Sequence, residues 1–311
     1  MKRFLALCFL AFALLLITTG CHQNTNSSGG GDIIVASKDF TEQDILGELL
    51  AQQIEATTNL KVERRPRLGG SFICHNAIIS GKIDAYIEYT GTAYAGILKQ
   101  KAVTDPKIVY EKLKQAYAQQ FNLEVLPSLG FENTFAMIIR GEDARRYNIQ
   151  TLSQVAEYTP KWRGGFGYEF LEREDGFPGL AKTYNLNFNK PPQIMDLGLV
   201  YRALVQKLVD MVAGSSTDGQ ISRLDVVVLK DDKHYFPPYE VVPIVRQEIL
   251  KKYPELRKAI AQLVGKISAD EMRQLNNLVE SELRDIKDVV LEFRKAKGLN
   301  VSKDIKKPIS S

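Results

Sequence analysis

The sequence predicts an α/β protein of two units with a helical tail. Its 311 residues exceed one ordinary domain and suit two domains of average size. From Ile33 to Ile87 the apolar pattern alternates as β-α-β-α-β, which indicates a parallel sheet with helices on its faces. A second set of short apolar runs begins at Phe135, and the pattern is helical from Gln247 onward.

Individual elements follow from local patterns. Thr41 is the expected N-cap of the first helix, with Asp44 at its third helical position. The strand-like runs cover 33–36, 60–63, 83–87, 135–139, 163–168, 209–213, 225–229 and 241–245. Helical patterns begin at 41 and cover 71–80, 179–184, 197–208, 254–264, 268–283 and 286–296.

The N-terminus carries a secretory signal. A positively charged start precedes an almost wholly apolar run from Phe4 to Ile17, which is too short for a comfortable membrane span. The small residues before Cys21 resemble a bacterial lipobox, although Thr18 stands where an aliphatic residue is usual. Cys21 is therefore the expected lipidation site, and plain signal cleavage with an unmodified Cys21 is the alternative.

The predicted layout of this region has two parts. Residues 1–20 are the signal peptide. Residues 21–31 are rich in Asn, Ser and Gly and form a flexible tether after the lipidated cysteine.

Composition argues against several classes of function. The net charge of +4 is spread along the chain, so nucleic-acid binding is not expected. Cys74 and His75 are adjacent, but the other histidines, His22 and His234, complete no ligand set, and we expect no metal and no cofactor. Because the sequence has no nucleophile elbow, P-loop or HExxH pattern, we also expect no enzyme activity.

Six loops carry most of the aromatic and polar side chains that could hold a small molecule. Ligands of open α/β sheets bind beyond the carboxyl ends of the strands, so loops that follow strands are the candidate sites. These loops are 37–43, 87–94, 130–135, 169–180, 214–219 and 231–240.

Taken in order, the six loops resemble those of compatible-solute binding proteins from osmoprotectant-uptake ABC systems. The resemblance extends from about residue 33 to 299. The matching strings are SKDFTEQ at 37–43, GKID at 81–84, EYTGT at 88–92, STDG at 216–219 and PPY at 237–239.

The resemblance implies a type II periplasmic-binding-protein fold, in which two α/β lobes are joined by two crossovers with a ligand cleft between them. Crossover-like loops occur near Gly130 and Asp232. Together these observations predict a discontinuous lobe 1, residues 32–129 and 236–305, and a lobe 2 of residues 130–235.

The resemblance also implies a set of ligand-binding residues. Tyr89 and Tyr239 match cage tyrosines, whose ring faces attract a trimethylammonium group that has no N–H to donate. Lys38, Thr92 and Arg173 match polar or carboxylate-binding positions.

Two positions depart from the family pattern. Asn133 and Phe135 match an Asp/Asn-x-Tyr element, in which Phe135 keeps the ring and loses the hydroxyl. Ser215, or its neighbour Gly214, stands where another cage tyrosine is usual. The cage is therefore expected to hold two or three aromatic rings. A bulkier betaine would fill the vacated volume, and weak binding of glycine betaine is the equal alternative.

The implied function is that of the substrate-binding component of an ABC importer. We expect a monomer outside the cytoplasm, lipid-anchored on a bacterial cell surface or in a periplasm. It would capture a quaternary-ammonium solute such as glycine betaine, choline or carnitine for a permease and ATPase on separate chains. The alternatives are another small zwitterion, a bulkier betaine such as ergothioneine, or a ligand-sensing lipoprotein without transport.

Overall fold

The computed structural model describes residues 31–101 and 103–299, apart from the side chain of Ser222. Ten strands form two five-stranded sheets in this part of the chain. The first sheet contains β1 (Ile33–Ala36), β2 (Val62–Arg65), β3 (Ala85–Tyr89), β4 (Leu123–Val125) and β10 (Val241–Arg246). The second contains β5 (Phe135–Arg140), β6 (Gly164–Phe166), β7 (Gln193–Ile194), β8 (Met211–Ser215) and β9 (Val226–Val228).

The first sheet has the strand order β2-β1-β3-β10-β4. The strands β1, β2 and β3 are parallel, as the β-α-β-α-β pattern predicts. The strand β10 returns from the second sheet and lies antiparallel between β3 and β4, so the sheet as a whole is mixed.

Helices on the first sheet come from both ends of the described chain. They are α1 (Thr41–Thr57), α2 (Ser71–Ile79), a π-helical turn (Thr92–Ile97), α3 (Pro106–Phe121), α9 (Gln247–Lys252), α10 (Pro254–Ala261), α11 (Ala269–Glu280) and α12 (Ile286–Ala296). The last three helices pack against α1 and extend the core around Leu50 and Ile54, both of which are fully buried.

The second sheet has the strand order β7-β6-β8-β5-β9. In it β5 is antiparallel to β8 and β9, while β6 is parallel to β7 and β8. Its helices and turns are short: α4 (Gly141–Tyr147), α5 (Leu152–Val155), α6 (Tyr168–Glu172), α7 (Phe177–Tyr184), α8 (Val200–Val205) and the 3₁₀ turns Thr159–Lys161, Leu197–Leu199 and Gly219–Ser222. A separate core surrounds Leu152 and Phe166.

Two connecting segments cross between the sheets and run side by side. Glu132 and Glu240 form an antiparallel bridge. Next to it, the Asn133 N–H donates to the Tyr239 carbonyl at 3.1 Å. Because their backbones are paired, these segments place the side chains of Asn133 and Tyr239 between the two sheets.

Several local predictions need correction. The helix α1 begins at Thr41, so Phe40 is its N-cap and Thr41 is not. The predicted strand 60–63 lies two residues later, and the predicted strand 163–168 stops at Phe166 because α6 begins at Tyr168. The predicted helix 197–208 is a 3₁₀ turn followed by the short helix α8, and α3 was not predicted.

The predicted signal peptide, tether and lipidated Cys21 lie outside the described residues, except for Gly31. Within residues 31–101 and 103–299, no helix combines the length and the apolar character that a membrane span requires. The predicted limits of the two lobes stay a prediction.

Candidate ligand-binding site

A cavity of about 400 Å³ lies between the two sheets. Every residue predicted to bind ligand lines it. These residues are Lys38, Tyr89, Thr92, Asn133, Phe135, Arg173, Ser215 and Tyr239.

The fold explains why side chains so distant in sequence meet here. Lys38 follows the end of β1, Tyr89 ends β3 and Ser215 ends β8. Side chains at the carboxyl ends of strands converge at one edge of an α/β sheet. The two lobes present these edges to each other, and the connecting segments add Asn133 and Tyr239.

The ammonium group of Lys38 is held by two hydrogen bonds and by an aromatic ring of the protein. It donates to Glu88 Oε1 at 2.5 Å and to Ser71 Oγ at 3.2 Å. It also lies 4.1 Å from the centroid of the Tyr89 ring, within the range of a cation–π contact. Lys38 is only 2% exposed, so these partners compensate the burial of its charge.

Arg173 is paired but keeps a donor for the cavity. Its Nε and Nη2 donate to the two oxygens of Asp175 at 2.9 and 2.5 Å, and its guanidinium lies 5.0 Å from the centroid of the Phe135 ring. The Tyr239 hydroxyl donates to Asp175 at 2.8 Å and holds this pair from the other side. No described residue accepts a hydrogen bond from Arg173 Nη1.

Burial opposes the charged form of Arg173, but the hydrogen bonds and charge of Asp175 outweigh it and raise the pKa of the guanidinium. Arg173 is therefore a permanent cation in the wall of the cavity.

Glu42 lies at the centre of the site, and its role was missed by the sequence analysis. Its Oε1 accepts from the Tyr89 hydroxyl at 2.6 Å and from Asn133 Nδ2 at 2.8 Å. Its Oε2 accepts from the Thr217 hydroxyl and, at 3.4 Å, from Asn276 Nδ2. The carboxylate thus joins α1, β3, a connecting segment, the loop after β8 and α11.

Burial raises the pKa of Glu42, and the four hydrogen bonds oppose that rise by stabilising the carboxylate. The available signal for this residue was its position in the first turn of a helix that follows a strand, where the helix dipole favours a negative charge.

Buried Tyr201 and half-buried Asp218 form a second hydrogen-bonded pair in the same wall. The Tyr201 hydroxyl and the Ser215 N–H both donate to Asp218 Oδ2, at 2.7 and 2.8 Å. Burial raises the pKa of Asp218 to about 7, with a smaller contribution from the nearby carboxylates of Glu280 and Glu42.

Tyr201 also changes the expected shape of the cavity. A Cβ atom on Gly214 would lie 2.6 Å from the Tyr201 hydroxyl oxygen, so Tyr201 already fills part of the space left by the missing tyrosine near position 214. The prediction that the ligand cage holds two or three of the cavity's rings stays a prediction. The described aromatic lining of the cavity is Phe40, Tyr89, Phe135, Tyr168, Phe170, Tyr201 and Tyr239.

Cys74, which the sequence places beside His75, lies in the protein interior. Cys74 is buried, with its Sγ 3.5 Å from the Gly69 carbonyl oxygen, and burial raises the pKa of its thiol to about 12. Within residues 31–101 and 103–299, no group of three or more His, Cys, Asp or Glu side chains could hold a metal ion.

A cavity between two α/β lobes, lined by aromatic rings and buried charges, defines a solute-binding protein. The chain belongs to the family described as the substrate binding domain of ABC-type glycine betaine transport system, whose model matches residues 31–296. It is therefore the substrate-binding domain of an ABC transport system.

Individual relatives agree with this assignment. The carnitine transport binding protein OpuCC of Listeria monocytogenes is 35% identical and aligns with 94% of this chain and 96% of its own. The ergothioneine transport permease/ergothioneine binding protein EgtU of Helicobacter pylori is 38% identical over 86% of this chain, which matches 48% of that longer protein.

A solved structure confirms the predicted fold class. The crystal structure of a glycine betaine/carnitine/choline ABC transporter protein is 34% identical and superposes with a TM-score of 0.70, covering 86% of this chain and 99% of that one. Both chains have the type II periplasmic-binding-protein fold.

Proposed function

We propose that this chain captures a small quaternary-ammonium solute outside the cytoplasm and delivers it to a permease and an ATPase on separate chains, without catalysing a reaction. The main support is the cavity, which combines aromatic ring faces for a cation with a buried arginine for an anion. The names of the carnitine and ergothioneine relatives agree with a betaine-type ligand.

The cationic end of the ligand is assigned to the rings of Tyr89, Phe135 and Tyr239. Two of these rings already attract cations of the protein, Lys38 on Tyr89 and Arg173 on Phe135. A trimethylammonium group is attracted by the same ring quadrupole and also gains apolar contact through its methyl groups.

The anionic end is assigned to Arg173 and Thr92. Arg173 Nη1 has no acceptor among the described residues, and the Thr92 hydroxyl likewise has no hydrogen-bond partner among them. Hydrogen bonds from a cation to a carboxylate are stronger than neutral ones. Lys38 acts on the ligand through its charge. Two of its N–H groups already donate to Glu88 and Ser71.

A bulkier betaine is the second candidate ligand. It is supported by the ergothioneine-binding relative, which is 38% identical over 86% of this chain, as carnitine is supported by the relative that is 35% identical.

The first prediction concerns the ring of Tyr239. Titration calorimetry with glycine betaine, choline, carnitine and ergothioneine should detect binding of one or more of these compounds. Tyr239→Ala should weaken that binding roughly 30-fold, because a desolvated cation–π contact is worth on the order of 2 kcal/mol. Tyr239→Phe keeps the ring and should cost much less.

The matched control is Tyr147→Ala, a tyrosine of the second lobe that does not line the cavity and should leave the affinity unchanged. The proposal fails if none of the four compounds binds. The ring assignment fails if the Phe and Ala variants of Tyr239 lose the same affinity.

The second prediction concerns lobe movement. We infer that residues 32–129 with 236–305, and residues 130–235, move as two bodies about the paired connecting segments. Contacts that this structure makes between them, such as the Phe72 N–H with Glu169 Oε1 at 3.3 Å, should be lost when the lobes open without ligand. Small-angle scattering should show a smaller radius of gyration at saturation, and an unchanged radius would contradict closure.

The third prediction concerns the anchor. We infer that Cys21 is lipidated and holds a monomeric protein on the outer face of a membrane, because the apolar signal ends at Gly20-Cys21. After cell fractionation, Cys21→Ala should leave the membrane fraction, whereas the matched Cys74→Ala variant should remain in it. Membrane retention of the Cys21→Ala variant equal to wild type would rule out the anchor.

A further inference from the structure

The hydroxyl group of Tyr235 holds the backbone of the turn that carries Arg173. This Arg173 turn is closed by the Gly176 N–H, which donates to the Arg173 carbonyl at 3.0 Å. The Tyr235 hydroxyl donates to the Glu174 carbonyl at 2.8 Å and to the Gly176 carbonyl at 3.1 Å, so its proton is shared between them. Asp175 lies between these two residues. One hydroxyl group therefore fixes the backbone on both sides of the carboxylate that pairs with Arg173.

The chain leaves room for this hydroxyl group at Gly179. A Cβ atom there would lie 2.1 Å from the Tyr235 hydroxyl oxygen and 2.4 Å from the Glu174 carbonyl oxygen. Gly179 belongs to the first turn of α7, so a larger residue would displace the hydroxyl group or the Arg173 turn. Tyr235 is not among the residues that line the cavity. It therefore acts on the ligand site through the Arg173 turn.

The backbone of Tyr235 is itself fixed by Asp231. Oδ1 of Asp231 accepts from the Tyr235 N–H at 3.0 Å, and Oδ2 accepts from the Phe236 N–H at 2.9 Å. The Tyr184 hydroxyl, from α7, also donates to Oδ1. The start of this connecting segment is therefore attached to the second lobe, and the side chain of Tyr235 extends from a fixed point.

Two prolines join Tyr235 to the other tyrosine that holds the Arg173 turn. Pro237 and Pro238 restrict the backbone between the two tyrosines, because the proline ring fixes φ. At the far end the Tyr239 hydroxyl donates to Asp175 Oδ2 at 2.8 Å. One connecting segment thus holds the turn at two points, its backbone through Tyr235 and its carboxylate through Tyr239.

The position of the turn determines the position of the cation. Nε and Nη2 of Arg173 donate to the two oxygens of Asp175, so the guanidinium group moves with that carboxylate. A binding group that is already in place loses less conformational freedom when a ligand arrives, and its hydrogen bonds contribute more to affinity.

We propose that Tyr235 is a positioning residue for Arg173, and that its hydroxyl group increases the affinity of the site for the anionic end of the ligand. The inference rests on the proposed function, in which Arg173 binds that end. Tyr235 contributes without touching the ligand.

The variant Tyr235→Phe tests this role, because it keeps the ring and removes only the hydroxyl group. Calorimetry uses choline and the carboxylate compound, glycine betaine, carnitine or ergothioneine, that the wild type binds most tightly. The carboxylate compound should bind about fivefold more weakly to the variant, since the hydrogen bond that fixes the turn is lost. Choline has no carboxylate for Arg173 and should keep its affinity.

The matched control is Tyr110→Phe. The Tyr110 hydroxyl also donates to a backbone carbonyl, that of Val125 at 3.3 Å, but Tyr110 lies on α3 outside the cavity lining. Its removal should change neither affinity. Equal losses for both compounds in Tyr235→Phe, or no loss for either, overturn the positioning role while the proposed function stands. Binding of choline alone by the wild type overturns it too. If none of the four compounds binds, the proposed function fails and the inference fails with it.

A crystal structure of Tyr235→Phe adds a readout that needs no ligand. The guanidinium carbon of Arg173 lies 5.0 Å from the centroid of the Phe135 ring, and in the variant it should be displaced or occupy more than one position. This measurement decides the case in which the wild type binds a carboxylate compound but not choline. An unchanged Arg173 turn in the variant would contradict the inference.

Discussion

The buried carboxylate of Glu42 accepts hydrogen bonds from four side chains, and the arrangement of the cavity depends on that set of contacts. Taking a carboxylate out of water costs several kcal/mol unless donors replace the lost hydration. Here the four donors come from four segments that are far from α1 and from one another in sequence. Each of them is therefore held in place by the charge it helps to solvate.

Three of the four donors belong to parts of the protein that must meet for a ligand to be enclosed. Tyr89 ends a strand of the first sheet, Asn133 lies on a connecting segment and Thr217 follows a strand of the second sheet. The fourth, Asn276, lies on α11 and also donates to the Thr217 carbonyl at 2.9 Å. The helical tail thus supports the cavity as well as covering the core against α1.

The sequence predicted the parts of this site that local signals carry. The β-α-β-α-β pattern predicted the parallel strands of the first sheet, and the family resemblance selected eight residues, all of which line the cavity. The sequence also contains local signals for α3, although the prediction did not include this helix. Asp105 caps it, Pro106 stands at its first position, and Val109, Leu113 and Tyr117 are buried at spacings of four residues.

Other features have no local signature. The partners of Glu42 are 47 to 234 residues away in sequence, so their convergence depends on the packing of both lobes. Tyr201 reaches the site from a helix without a recognisable motif and fills space beside Gly214 that the sequence pattern left empty. The sequence pattern placed the N-cap at Thr41, one residue after the actual N-cap, Phe40. A sequence pattern does not distinguish the N-cap from the first residue of a helix.

The most direct test of this account is calorimetric titration of Glu42→Gln with carnitine. The amide has nearly the size of the carboxylate, but it offers one acceptor oxygen, and its NH₂ group opposes two of the four donors. The account predicts affinity reduced by about tenfold or more. Glu48→Gln, on the same helix but paired with Arg64 and outside the cavity lining, should bind as wild type does. Wild-type affinity in a folded Glu42→Gln protein would contradict the central role of this carboxylate.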